Sequence, residues 1–483
     1  MSSAPAPAAA PPVARGAWLA LAVVLGAAFM SLLDTTIVNV ALPTIRTSLD
    51  ASESTLSWII SGYALAFGLA LIPAGRLGDR YGHKWVFITG LALFTAASLA
   101  CGLAQNDLQL IIARVVQGLG GGIFFPAVSA FIQLLFPPMA RGKAFAILGA
   151  VIGVSSALGP LVGGLIIQAL GDETGWRWIF AVNLPIGVIV LVAAIALLPS
   201  EAAGKATSND LIGLVLLSGA LVALLVPLIQ GQEEGWPLWT YLSIGGGVLL
   251  VVLFALWELI VASRGKDPLV PPRLFAHAQF AAGTILALVF FAAFTSIFFT
   301  ISLLWQAGLG HTALESGLVS VPFAIGNIIG ASQSDRLAAR LGRAVLAIGV
   351  ALLTIGLTAL FLILLLVPTA DLTNWTLLGP LLVAGLGSGL FIAPNVRFIV
   401  ATVDRSEAGA ASGVIGTMQR VGAAAGIAVI GSVFFGNIGP IAGPADLPAA
   451  FGQAATPALA VSAALALAAF LLVFTLPKRV QLH

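Results

Sequence analysis

Fourteen separate runs of about 20 mainly apolar residues divide this chain, and no water-soluble fold has a core that could hide them all. They fall at 17–41, 56–78, 85–104, 108–131, 143–170 and 178–198, then at 211–230 and 238–262. Six more follow at 280–306, 314–334, 344–367, 377–396, 408–434 and 457–476. Each suffices for an α-helix rising about 1.5 Å per residue to cross a hydrocarbon layer of about 30 Å. Composition agrees: 59% of residues are hydrophobic and 8% charged, where soluble domains carry about 25% charged residues. The expected fold class is an all-α membrane protein, because only helices and closed barrels satisfy their backbone groups in lipid.

The basic residues test that count independently, since cytoplasmic loops are enriched in Lys and Arg. With the amino terminus inside, the cytoplasmic segments hold Arg15, Arg76, Arg80, Lys84, Arg141, Lys143, Lys205, Arg264, Lys266 and Arg273. They also hold Arg336, Arg340, Arg343, Arg397, Arg405, Lys478 and Arg479. The outer loops hold Arg46 and Arg177 alone, and Arg114 and Arg420 fall within spans. Gaining or losing one span would scramble this bias, so fourteen spans with both termini in the cytoplasm are expected. The Ala/Pro-rich start lacks the basic residues of a signal peptide, and the first run is too long for a signal core, so it is expected to remain as an uncleaved span. A single cysteine, Cys101, allows no disulfide within the chain.

A degenerate repeat divides the chain. Gly-Arg-Leu-Gly-Asp-Arg-Tyr-Gly-His-Lys at 75–84 follows the second span, and Gln-Ser-Asp-Arg-Leu-Ala-Ala-Arg-Leu-Gly-Arg at 333–343 follows the tenth. Both put Asp-Arg at the cytoplasmic mouth. The expected organisation is a disordered tail (1–15), a six-helix bundle (16–199), a linker (200–209) and two inserted helices (210–262). A second linker (263–279), a second six-helix bundle (280–477) and a short tail (478–483) follow. Two parallel halves around a midplane cavity are a common transporter plan.

Four motifs carry a resemblance. Leu33-Asp34-Thr35-Thr36-Ile37-Val38-Asn39-Val40-Ala41-Leu42-Pro43 lies in the first span, and Gly75-Arg-Leu-Gly-Asp79-Arg80-Tyr-Gly82-His-Lys84 in the loop after the second. Arg114-Val-Val-Gln117-Gly118-Leu-Gly120 lies in the fourth span, and Gly159-Pro160-Leu-Val-Gly163-Gly164 in the fifth. Together they resemble the major facilitator superfamily, in particular its fourteen-span drug:proton antiporter branch. The resemblance runs from about Ala17 to Leu476. Ser155 stands where the fifth-helix motif usually has glycine, and Ala331 stands at the position equivalent to Gly75. What it implies is a proton-coupled exporter of lipophilic small molecules such as drugs, dyes and antibiotics, in a bacterial cytoplasmic membrane.

Residue chemistry gives these motifs roles. Asp34 is the only carboxylate placed well inside a span, where it must find a cation or take up a proton. Asp34 and Arg114 both lie about seven residues from the outer end of their spans, so about 10 Å deep at ~1.5 Å per residue. A proton switch is expected at this pair, against the alternative of a static buried ion pair. Gln117, on the Arg114 face, is a candidate cavity donor; Asn39 either lines the cavity or caps the helix end. Trp58, Tyr63, Phe294 and Phe298 are candidates for an apolar cavity wall. Gly75, Asp79, Arg80, Gly82 and Lys84, with Asp335 and Arg336 in the second half, are expected to form a cytoplasmic latch. Gly153, Gly159, Pro160, Gly163 and Gly164 mark a closely packed, bent fifth span. Arg420 has no carboxylate at its depth and is left to backbone carbonyls, a water-filled cavity or an anionic part of a substrate. Glu258, about one turn from a cytoplasmic end, is expected to snorkel.

Other classes fit less well. The chain has no zinc-protease motif, nucleophile elbow or phosphate-binding loop, so it is expected to be no enzyme, to use no cofactor or metal, and to run on the proton gradient. No nucleic-acid partner is expected; the partners are a lipophilic substrate, protons and membrane lipids, and the chain is expected to act as a monomer. With Asp34 as the sole membrane acid, neutral or monocationic substrates are expected, exchanged for about one proton. The alternative is an exporter or flippase of lipid-like amphiphiles.

Overall fold

The computed structural model describes residues 15–476 apart from 52, 172, 201–209, 232–233, 267, 402, 404–406, 440 and 442. Most of the expected tails and of the 200–209 linker lie outside the described residues. Seventeen α-helices follow one another, with no strand among the described residues. The first half comprises α1 (Arg15–Leu49), α2 (Glu53–Tyr81), α3 (His83–Leu103), α4 (Asp107–Leu135), α5 (Pro138–Leu170), α6 (Gly175–Ala181) and α7 (Asn183–Leu197). Then come α8 (Leu211–Gln230) and α9 (Leu238–Ser263), and the short α10 (Arg273–Ala276). The second half comprises α11 (Ala278–Leu303), α12 (Ala313–Val319), α13 (Val321–Leu341), α14 (Ala344–Leu366), α15 (Asn374–Val400), α16 (Ala408–Gly436) and α17 (Leu447–Val473).

Fourteen helical segments are long and apolar enough to cross a membrane. Two of them are interrupted. The sixth span is α6 and α7 joined at Val182, and the tenth is α12 and α13 joined at Ser320. Pro185 and Pro322 stand just inside the second pieces; lacking an N–H, each frees the carbonyl four residues back and weakens the helix there. The break in the sixth span places Asn183 at a helix start inside the bundle.

The two halves repeat one packing device. In Gly118-Leu-Gly120-Gly121-Gly122 a Cβ on Gly118 or Gly122 would strike the Tyr63 or Phe67 carbonyl of α2, and one on Gly120 would strike the Phe94 backbone of α3. In Gly385-Leu-Gly387-Ser388-Gly389 the same positions meet the Phe323 and Asn327 carbonyls of α13 and the Gly349 carbonyl of α14. Small residues at every second position let one helix approach two neighbours to backbone contact, the means by which helices associate where no hydrophobic force separates protein from lipid. This Gly-Leu-Gly-x-Gly pair is the firmest sequence record of the internal repeat.

The halves meet along α2/α16 and along α5 against α12, α13 and α15. Gly413 of α16 lies on the Leu71 carbonyl, and Gly149 of α5 lies beside Ala393 of α15. The inserted α8 rests beside this seam: Leu225 reaches Gly68 of α2, and the Trp236 indole just beyond α8 donates to Ser432 Oγ of α16 at 3.0 Å.

Glu258 does not snorkel. It is 2% exposed, and its Oε2 accepts from the Val270 amide at 2.8 Å. Asp210, the N-cap of α8, accepts from Gly213 N and Trp257 Nε1, each at 2.8 Å. Glu258 Oε1 and Asp210 Oδ2 have no partner and crowd the same point beside Gly213. Depth alone predicted an exposed head group; the connector after α9 folds back and covers it instead.

Candidate functional site

Asp34 is wholly buried at the centre of the first half. Its Oδ2 accepts from Arg114 Nη1 at 2.6 Å, and its Oδ1 accepts from Gln117 Nε2 at 2.9 Å and Asn183 Nδ2 at 2.7 Å. Arg114 also donates through Nε to the Ile59 carbonyl at 3.1 Å and through Nη1 to Gln117 Oε1 at 2.6 Å. Gln117 and Asn183 converge on Ser98 Oγ, at 2.8 and 3.3 Å. One carboxylate thus ties together α1, α4 and α7, and through its donors α2 and α3. A buried carboxylate tolerates its charge only where it is met by a cation and by donors on its remaining lone pairs; every such donor is present. Chemically the cluster can hold a negative charge, or exchange the arginine for a proton.

An aromatic file leads away from this cluster. The Arg114 guanidinium carbon stands 4.1 Å above the Tyr63 ring, whose hydroxyl lies 3.2 Å from Ser31 Oγ. Tyr63 and Phe67 follow on the same face of α2 with ring centroids 5.8 Å apart. The Arg420 guanidinium carbon of α16 then stands 4.1 Å above the Phe67 ring. Two arginines, one from each half, therefore bracket two rings of α2.

At one end of the bundle two acids, one from each half, face the start of the fifth helix of the other half. Asp79 Oδ2 accepts from the Ala410 amide in the first turn of α16 at 3.2 Å, where the helix dipole favours an anion. Asp335 pairs with Arg397 Nη1 at 2.7 Å, and this pair sits on Gly142 in the first turns of α5. Gly82 turns the chain between α2 and α3 at φ 90°, which favours glycine. Lys84 Nζ donates to the Ile195 carbonyl of α7 at 2.8 Å.

The small residues of α5 form two stripes. Gly159 and Gly163 receive Thr36 and Ile37 of α1. Gly142, Gly149, Gly153 and Gly164 receive the other half: the Asp335–Arg397 pair, Ala393, the Asn327 side chain and the Leu314 backbone. Pro160 lies against Gly317 of α12.

A model of the Major Facilitator Superfamily matches residues 24–427 of this chain. The chain belongs to that superfamily. It is 40% identical over 439 residues to the "Probable actinorhodin transporter" of Streptomyces coelicolor, covering 89% of this chain and 74% of that protein. It is 34% identical over 423 residues to the "Puromycin resistance protein pur8" of Streptomyces alboniger, covering 87% of this chain and 82% of that one. The structure superposes on that of the human organic anion transporter MFSD10 with a TM-score of 0.67, covering 96% and 100% of the two chains; at 16% identity this likeness concerns the fold alone. As a superfamily member the chain is a multi-pass membrane transporter and not an enzyme.

Within this superfamily fold the motif residues do not form one site. Asp34, Arg114 and Gln117 are joined; Asp79 and Asp335 lie at one end of the bundle; the α5 glycines are split between two neighbours. Gly75 is buried near the end of α2, and Arg80 lies against the Tyr81 ring at 5.0 Å. Arg336 is exposed and makes no hydrogen bond with a described residue. Asn39 is exposed on another face of α1 from Asp34. Tyr63 is buried within the first half, and Phe294 packs among Phe290, Phe291, Phe298 and Phe323 inside the second, so neither is an open wall. Trp58 and Phe298 remain half-buried.

Asn183, Ser98 and Ser31 complete the site and went unread in the sequence. Asn183 had a signal: it is the only side chain with a hydrogen-bonding group between Ile179 and Leu198. Ser98 and Ser31 had none, since a serine in an apolar helix commonly bonds its own backbone.

Proposed function

We propose that this protein exports lipophilic small molecules from the cytoplasm in exchange for protons, by alternating access, with Asp34 as the proton-binding carboxylate. The observation that carries the reading is the wholly buried Asp34–Arg114–Gln117–Asn183 cluster, where a proton and an arginine can compete for one carboxylate. The relatives named above are, by name, an antibiotic transporter and an antibiotic-resistance protein, which supports the cargo class.

Protonation removes the charge that binds Arg114, and the guanidinium keeps only Ile59 and Gln117 as acceptors. α1 is then held less firmly to α4 and α7. Because Thr36 and Ile37 of α1 seat in Gly159 and Gly163 of α5, a shift of α1 is passed to the helix whose other stripe contacts the opposite half. The Asp79 and Asp335 contacts are the ones that must part for the cytoplasmic side to open. In this reading the chain works as a monomer in a bacterial cytoplasmic membrane with both termini inside, and its lipid neighbours serve as solvent.

The preference for monocations expected from a free carboxylate loses its basis, because Asp34 already has a cation and two amides. The test is proton release from proteoliposomes on adding a lipophilic drug, comparing the parent with Asp34→Asn. Drug-dependent release in the parent and none in the folded variant is expected. Equal release in both would remove Asp34 from the coupling.

A further inference from the structure

Arg420 is the one charged group of the central region that the coupling scheme does not use. It lies 12 residues beyond Ala408, the first residue of α16, so about 18 Å from the cytoplasmic end at ~1.5 Å per residue, near the middle of a hydrocarbon core of about 30 Å. A charge at that depth is costly and is kept where it meets a partner or a cavity. The described ion pairs of the chain are Asp34–Arg114, Arg273–Glu407, Asp335–Arg397 and two histidine–carboxylate contacts, and none includes Arg420. No described residue accepts a hydrogen bond from it either.

Helix packing decides where it points. Gly422 and Gly426 turn one face of α16 onto the Leu288 and Ala292 carbonyls of α11. Gly413 and Gly416 turn another face onto Leu71 of α2. Arg420 continues that second face by helical spacing, one turn beyond Gly416, and stands over Phe67. It is half-buried although it lies in the middle of the bundle, on the face of α16 that meets α2 of the other half.

We propose that Arg420 is the charge-recognition residue of the substrate cavity and takes an acidic oxygen group, a carboxylate or phenolate, of an amphiphilic substrate. This rests on the export reading above and deepens it. The Asp34–Arg114 pair is neutral as a unit, so Arg420 gives the central region a net positive charge. A guanidinium presents five N–H donors in a planar fork that fits a carboxylate, and here none is taken by a described side chain or carbonyl. Phe67 beneath it is wholly buried, and its ring face holds the guanidinium from below. The Tyr63 and Phe67 rings keep this site apart from Asp34, so the anion and the proton do not compete for one group. Exchange of a monoanion for one proton then moves two charges, and an interior-negative potential favours export.

The test uses the full chain in phosphatidylcholine nanodiscs and three probes of one skeleton: anthracene-2-carboxylate, its methyl ester, and 2-(aminomethyl)anthracene as the cation. Binding is read by equilibrium dialysis against empty nanodiscs. In the parent the carboxylate is expected to bind about tenfold more tightly than the ester, the scale of one charge-assisted hydrogen-bonded contact, and the amine most weakly. Arg420→Gln should bring carboxylate and ester to equal affinity, and Arg420→Lys should keep most of the difference. Equal carboxylate binding by the parent and Arg420→Gln overturns the proposal. So does a parent that prefers the amine, a result that needs no variant to fold. Failure of the export reading shows separately, as absence of ester-dependent proton release in parent proteoliposomes.

Discussion

Asn183 Nδ2 donates to Asp34 Oδ1 at 2.7 Å, joining residues 149 positions apart. The bond closes the Asp34 cluster from the side of the broken sixth span, and it gives the cluster a test independent of transport. Hydrogen bonds to a charged group contribute about 1.5–3 kcal/mol, so Asn183→Ala should lower thermal stability on that scale. In an Asp34→Asn background the loss should shrink, giving a coupling of at least about 0.5 kcal/mol in the double-mutant cycle. Strictly additive losses would mean that the two side chains do not interact.

Arg114 makes the same argument more severely. Arg114→Ala leaves a buried carboxylate without its cation, which costs about 3–5 kcal/mol. Poor folded yield is expected for the single variant, with recovery on adding Asp34→Asn, read by size-exclusion chromatography of solubilised protein. Proton-coupled export should stay absent in the recovered double variant. A double variant as unstable as Arg114→Ala alone would shift the weight from the ion pair to the Ile59 and Tyr63 contacts.

The closure between the two halves is open to thiol chemistry. Ala393, at 3% exposure beside Gly149, marks its inner side. In a background with Cys101 replaced by alanine, a cysteine at 393 should react slowly with a small maleimide. Adding Asp335→Asn removes a pair of about 1 kcal/mol, so labelling should quicken by about fivefold. An unchanged rate would remove the Asp335–Arg397 pair from the closure.

One glycine of the fourth span and one of the eighth predict opposite responses to one substitution. Gly118→Ala places a methyl on the Tyr63 carbonyl and should destabilise by about 1–3 kcal/mol. Gly245→Ala, in α9 with nothing within 4 Å of its added carbon, should stabilise by up to about 1 kcal/mol through helix propensity alone. Equal melting shifts for the two would contradict the packing described for α4 on α2.

The carboxyl pair below the inserted helices gives a fifth prediction. Asp210 Oδ2 and Glu258 Oε1 face one another without a donor between them. Glu258→Gln brings an N–H to that gap and keeps an acceptor for Val270, so its melting temperature should equal or exceed the parent's. Glu258→Ala should melt lower, because the Val270 amide is left buried without an acceptor. The reverse order would show that the two oxygens do not face one another across that gap.

The sequence by itself determined the membrane solvent, the number of spans and the resemblance to the superfamily. Hydrophobic length and the siting of Lys and Arg are local properties, and neither needs the chain to be folded to be read. It also marked Asp34 and Arg114, because a charge within an apolar run is conspicuous on its own. Only the tertiary structure decided what those charges meet. Asn183 reaches Asp34 because α7 packs beside α1, and Ser98 reaches the two amides that hold Asp34 because α3 packs against α4 and α7, a neighbourhood that no spacing records. The same holds for Glu258, placed correctly in depth yet covered by a connector that folds back over it, and for Phe294, which turns into its own bundle. Helical periodicity shows which residues share a face, but in lipid both faces of a helix are apolar. Which face meets protein, cavity or bilayer is therefore settled by backbone fit between helices, and that fit exists only once they are assembled.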